Sequence, residues 1–215
     1  MAGRPAGADP GTTAGAPLPQ YGKWGELRRH GDETRRRIIG VALALVADHG
    51  FAATSTREIS ECLGFTKAAL YYHFRTKDDL LAAIVQPAAS DLEALVESAT
   101  PASSPSERRR VVEGYADLVS SHADLIQVVS DDPAVRKSPA LRAVAPHYVR
   151  LVQILAGTEE PSTAGRAQVR AALGAIHSVL IHAAPDDDAA TLRQSAVTAA
   201  TRVLGLPPAR RPAET

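Results

Sequence analysis

Residues 55–77 read STREISECLGFTKAALYYHFRTK, and the order of caps, apolar residues and glycine in this stretch decides the fold. Ser55 and Glu58 have the spacing of a capping box, in which the serine oxygen accepts from the Glu58 amide and the glutamate reaches back to the Ser55 amide. Ile59 and Leu63, four apart, give the helix that follows one inward face. Gly64 stands where the chain must leave that helix through a left-handed conformation, which glycine adopts without a Cβ clash. Thr66 is an N-cap for the next helix, whose buried side is Leu70 and Phe74. Thr76 caps a further helix from Lys77, with Asp78 and Asp79 at its electropositive start. Two short helices across a tight glycine turn form the helix-turn-helix pattern.

With Leu70 and Phe74 turned inward, the second helix has a face the core does not need. Lys67, Ala68, Tyr71, Tyr72 and His73 are left outward or at the flanks, offering a cation, a small residue, two phenols and an imidazole. That mixture suits a DNA major groove, where phosphates take donors and the thymine methyl takes apolar contact. The competing reading is a plain αα corner whose aromatics pack on their neighbours. Caps, turn and outward chemistry agree in favouring the groove.

Residues 34 to 85 resemble the N-terminal domain of the TetR family of transcriptional regulators. The features that carry the resemblance are an apolar first helix ending at Gly50-Phe51, Thr56-Arg57-Glu58-Ile59, Leu63-Gly64-Phe65-Thr66-Lys67, Leu70-Tyr71-Tyr72-His73-Phe74, and Lys77-Asp78-Asp79-Leu80-Leu81. The resemblance covers about a quarter of the chain. It implies that the helix from Thr66 is the recognition helix and that Lys67, Ala68, Tyr71, Tyr72 and His73 approach bases or phosphates. It also implies that Thr56, Arg57 and Lys77 hold the DNA backbone. Ser60 departs mildly, standing where the family more often has alanine.

The rest of the chain is compatible with such a regulator. Its 215 residues are 45% hydrophobic and 22% charged, enough for one or two modest domains with a real core. Formal net charge is zero, which argues against a uniformly basic coat, but the charge is unevenly spread. Residues 21–77 hold ten Lys and Arg against six Asp and Glu, whereas residues 87–215 hold thirteen against fifteen. The positive end coincides with the helix-turn-helix. The single cysteine, Cys62, excludes an intrachain disulfide and a cysteine-based metal site within one chain, and its place in the helix suggests a packing role. No signal-peptide core and no stretch long enough to span a bilayer is present, so the expectation is a cytoplasmic protein without a membrane partner.

The expected architecture is all-α. Residues 1–31 form a disordered basic N-terminal arm, rich in Ala, Gly and Pro to about residue 20 and basic after it. Residues 32–78 form a three-helix helix-turn-helix DNA-binding domain, and 79–206 a helical regulatory and dimerisation domain. Residues 207–215 form a flexible tail. The basic stretch 21–37 reads either as an arm entering the minor groove or as a solvated lead-in to helix 1. Helix 1 runs from about Asp32 to His49, with Ile38, Val41, Ala42, Leu45 and Val46 inward. The helix from Lys77 continues past Pro87, which kinks or interrupts it and marks a hinge near Gln86-Pro87. Further helices are expected near 106–121, 123–130, 138–156, 163–184 and 187–204. The last two have broad apolar faces, an intrachain core or, by the resemblance, the four-helix interface of a homodimer. A dimer places two recognition helices at successive major grooves.

By the resemblance, the C-terminal part holds a small-molecule effector of unknown identity, with Tyr115, His122, His147, Tyr148 and His177 as candidate contacts. No metal and no cofactor are expected. Catalysis is disfavoured by the absence of a His-Glu-x-x-His run, a phosphate loop or a nucleophile elbow. Asp186-Asp187-Asp188 after Pro185 reads as a helix start. The function expected is that of a ligand-released repressor binding a palindromic double-stranded DNA operator as a dimer. The alternatives are a helical dimerisation or interaction protein that has lost DNA binding and, last, an enzyme.

Overall fold

The computed structural model describes the backbone of residues 22–184 and 186–207, with side chains from residue 32 onward. Among these residues there are ten helices and no strand. The first is α1, Gly22–His49, followed by α2, Thr56–Leu63, α3, Lys67–His73, and α4, Lys77–Glu97. The helix starts near Ser55, Thr66 and Thr76 fall where the caps put them. Ser55 and Thr76 each close a capping box, and the Thr66 hydroxyl accepts from the Ala69 amide. Gly64 leaves α2 at φ 66°, and its amide donates to the carbonyls of Glu61 and Ser60.

Helix α1 departs from expectation by beginning at Gly22, so residues 22–31, expected within a disordered arm, are helical. No proline follows Pro19 in this region, and Glu26, Leu27, Arg28 and Arg29 are good helix formers. A helix nucleated downstream therefore propagates back through them. Residues 1–21 of the expected arm and 208–215 of the expected tail lie outside the described residues.

Beyond α4 come α5, Pro105–Ser121, α6, Ala123–Asp131, and the short α7, Pro133–Arg136. Then α8, Pro139–Ala156, α9, Thr163–Ile181, and α10, Ala189–Val203, complete the chain. Asp188 caps α10 by accepting from the Thr191 amide, as the acidic run after Pro185 suggests.

The buried side chains fall into two cores. One joins the inner faces of α5, α8, α9 and α10 with Leu92 and Val96 of α4. The other contains Ile38, Ala42 and Val46 of α1, Ile59 of α2, Leu70 of α3, and Phe74. It also takes in Leu80, Leu81, Ala83, Ile84 and Val85 of α4, Leu125 and Val128 of α6, and Val135 of α7. Core membership therefore does not follow the expected boundary at residue 78. The reason is length: α2 has eight residues and α3 seven, too few to cover the apolar stripe of α1 unaided. The start of α4 and the α6–α7 elbow complete the cover.

Pro87 does not interrupt α4, which runs through it as one helix. It stands between the part of α4 that serves the first core and the part that serves the second. Its missing N–H leaves the Ala83 carbonyl without its helical donor, a loss the helix tolerates with the Pro87 ring itself on the exposed side. Cys62 is exposed rather than packed, because the α2 stripe turns Ile59 and Ser60 inward instead.

Gly64→Ala tests the turn. No atom lies within 4 Å of a Cβ built at Gly64, so the cost is that of the left-handed backbone alone. It is expected to be about 1–2 kcal/mol, read as a lowered midpoint of thermal unfolding.

Candidate nucleic-acid interface

The turn between α2 and α3 fixes the outer face of α3. Burying Leu70, fully covered, and Phe74 at the C-cap turns the opposite side of a seven-residue helix to solvent. Lys67, Ala68, Tyr71 and Tyr72 are exposed on it, and His73 is half-buried at its edge. Tyr72 is 86% exposed, an unusual position for a ring that no neighbour holds from above. Its ring meets His73 edge to face at 5.3 Å between centroids. A helix of this length extends roughly 10 Å, and the major groove is about 12 Å wide. The face is short enough to enter a groove and chemically mixed enough to read one.

Tyr71 is tied more closely. Its hydroxyl lies 3.4 Å from the Thr56 hydroxyl at the start of α2, and the Lys67 ammonium sits 5.8 Å from its ring centroid. These contacts join the outer faces of both helices of the motif. Thr66 caps α3 and stays exposed. Arg57 is exposed on α2 and pairs with Glu61 at 2.7 Å, which holds the guanidinium pKa above its ordinary value. The guanidinium is thus displayed on the surface in a pair that a phosphate can compete for.

Lys77 is different. Its ammonium donates to the carbonyls of Phe51 and, at 3.4 Å, Ala52, and lies 4.2 Å from the Phe51 ring centroid. Burial lowers the Lys77 pKa, against the opposing charges of Asp132 and Asp78. The side chain braces the turn after α1 from within the protein. Two cations of the basic stretch 21–37 have specific partners: Arg35 covers Phe74 at 4.9 Å, and Arg37 covers Phe65 at 5.7 Å. Their spacing from the aromatics, 39 and 28 residues, offers no local signal.

The five residues expected at an effector site fall in several places. Tyr115 on α5 and His177 on α9 meet inside the C-terminal core, where the hydroxyl lies 2.8 Å from Nε2. Burial pushes the Tyr115 pKa up and the His177 pKa down, so both are neutral at physiological pH. Tyr148 lines a groove of about 590 Å³ between α8 and α9, with Val149, Val152 and Arg170. His147 lines a smaller one, about 230 Å³, between α4 and α8. His122, at the α5–α6 junction, pairs with Asp91 of α4 at 2.7 Å. Among the described residues no cluster of three or more His, Cys, Asp or Glu could hold a metal ion. No described helix is long and apolar enough to cross a membrane.

Residues 38–84 match the family model for bacterial regulatory proteins of the tetR family. The N-terminal part of the chain thus carries a domain of the tetR-family type. It is similar to the transcriptional regulator AcrR of Shigella flexneri, 37% identical over 67 residues that make up 31% of each chain. It is also similar to the transcriptional repressor LfrR of Mycolicibacterium smegmatis, 30% identical over 52% of this chain and 57% of that one. The chain thus spans about a third of the first relative's length and little more than half of the second's. The TetR fold extends further than these matches. The ketosteroid transcriptional regulator KstR2 of Mycobacterium tuberculosis superposes with a TM-score of 0.61 at 18% identity, over 80% of this chain and 93% of that one. PfmR of Thermus thermophilus gives 0.55 at 26% identity, over 79% and 97%.

Lys77→Ala is expected to lower the unfolding free energy of the DNA-free protein by about 1–3 kcal/mol, the range for a lost charge-assisted hydrogen bond. Denaturant titration checks this. A lysine serving phosphates alone would leave that value unchanged.

Proposed function

We propose that this protein is a sequence-specific DNA-binding transcriptional regulator, a repressor that binds a palindromic operator as a homodimer and is released by a small molecule. The observation that carries the reading is the outward face of α3: Lys67, Ala68, Tyr71 and Tyr72 project from a helix anchored by buried Leu70 and Phe74. Lys67, Ala68 and Tyr71 face base edges, with His73 at the boundary. Thr56, Arg57 and Tyr72 hold phosphates, and Thr66 fixes the start of the helix at the groove. Lys77 supports the same surface from behind.

Dimerisation through α9 and α10 is supported by the exposed side of α9. Ala164, Ala167, Ala171, Gly174 and Ser178 recur at three- and four-residue intervals there and are exposed, a spacing and size that let a second helix approach closely. An effector is supported by the groove between α8 and α9, whose volume of about 590 Å³ lies in the range of small-molecule sites. To release DNA it must bind the DNA-incompetent state more tightly, and DNA then weakens its binding by the same factor. The reading places the protein in the cytoplasm, with no cofactor and no catalytic role.

Selection of bound sequences from a random duplex library tests the reading, and an enriched palindrome is the expected result. Tyr71→Ala is then expected to relax the preference at particular base pairs. Arg57→Ala is expected to weaken all sequences alike and to reduce the slope of log affinity against log salt by about 1 per chain. Failure of the wild-type protein to enrich any sequence, while folded and dimeric, would favour an interaction protein that has lost DNA binding.

A further inference from the structure

Asp132 lies at the junction of α6 and α7, well after the last helix of the helix-turn-helix. One carboxylate oxygen accepts from the Phe51 amide at 2.6 Å, across 81 residues of sequence. The other accepts from the amides of Ala134 at 2.7 Å and Val135 at 3.4 Å, and so caps α7. One side chain therefore ties the α6–α7 elbow to the turn that ends α1. Phe51 is held from its other side by Lys77, which takes the Phe51 carbonyl and faces its ring. The peptide groups on both sides of Phe51 are thus fixed, one by an anion from the C-terminal half and one by a cation from α4.

The apolar contacts run the same way. Leu125 and Val128 of α6 and Val135 of α7 are buried in the core that also holds Ile38, Ala42 and Val46 of α1. Beside the Asp132–Phe51 bond a crevice of about 320 Å³ opens between Val46, Ala47 and Gly50 on one wall and Gln127, Asp131 and Pro133 on the other. Packing between the two elements is thus incomplete at this edge, and the hydrogen bond is the polar link that closes it.

We propose that Asp132 is a positioning residue for DNA binding, its carboxylate holding the turn after α1 so that the helix-turn-helix keeps one orientation on the α6–α7 elbow. The effect on DNA rests on the functional reading above; the effect on the turn does not. Asp132 lies outside the helix-turn-helix, and its carboxylate donates nothing to a phosphate. It acts by limiting the poses of the domain. A dimer must seat two recognition helices in register, so each pose removed beforehand is a pose that binding need not freeze out.

The test uses the full-length protein, its selected operator and three variants. Asp132→Ala is expected to weaken operator binding about tenfold, the size of one lost charge-assisted hydrogen bond. The slope of log affinity against log salt should stay that of wild type, because no phosphate contact is lost. Asp132→Asn, which keeps an acceptor for the amide, is expected to recover part of the loss. Ser104→Ala removes the N-cap of α5, a comparable cap away from the elbow, and is expected to leave affinity unchanged. The Phe51 amide proton, read by NMR without DNA, should move upfield in Asp132→Ala and less in Asp132→Asn.

Operator affinity equal to wild type in Asp132→Ala, or tighter, would overturn the positioning role. So would an equal loss in Ser104→Ala, which would trace the effect to general destabilisation. An unmoved Phe51 proton would overturn the link itself. If the wild-type protein selects no operator, the functional reading fails and the Phe51 proton still decides whether the link exists.

Discussion

The structure depends on one constraint: the inward stripe of α1 must be covered, and the two helices that follow it are too short to do so. Ile38, Ala42 and Val46 are buried only because five residues at the start of α4 and three residues of α6 and α7 close over them together with α2 and α3. Burial of this kind contributes roughly 1.5–3 kcal/mol per large side chain, so the elbow is part of what holds the helix-turn-helix in shape. The polar contacts repeat the pattern. The Phe51 backbone is gripped by Asp132 and Lys77, and each of those side chains comes from an element outside the three-helix motif.

The outer face of α3 is the other side of this constraint. Because Leu70 and Phe74 satisfy the core, Tyr72 is released from packing duty. Arg35 and Arg37 reinforce the arrangement by lying over Phe74 and Phe65, placing cations on the surface next to the rings that anchor the motif. A rigid apolar seat and a polar, cationic face are thus produced by opposite sides of one short helix. The C-terminal core is separate and built almost wholly from aliphatic side chains, with Tyr115 and His177 as a neutral polar pair inside it.

What was legible in the sequence was local. Ser55, Thr66 and Thr76 accept from amides three residues on, and the Gly64 amide donates to carbonyls three and four residues back, so their spacing alone placed α2, α3 and the start of α4. The exposed side of α3 followed from two apolar residues four apart. What was hidden depends on distance along the chain. Nothing in the neighbourhood of Asp132 points to Phe51, although Asp132-Pro133 carries the cap and first-turn proline of a helix start and could have revealed α7. Lys77 matches the position of a phosphate ligand in the motif, and only the fold shows that Phe51 also lies within its reach. Pro87 looked like a break because a proline removes a hydrogen bond. The helix survives because both of its halves are held by separate cores. Cys62 was misassigned for a simpler reason, since on a helix of two turns the inward face is narrow and Ser60 occupies it.

The central claim is that the helix-turn-helix unit is assembled from two distant segments of the chain, residues of α1 to the first half of α4 and those of α6 and α7. Hydrogen exchange of the free protein across a series of low denaturant concentrations tests it directly, because amides in one cooperative unit share one opening free energy. The account predicts a common opening for α1, α2, α3, α6 and α7, distinct from that of α8, α9 and α10. Exchange of α6 and α7 together with α5 and α8, with α1 to α3 opening on their own, would contradict it.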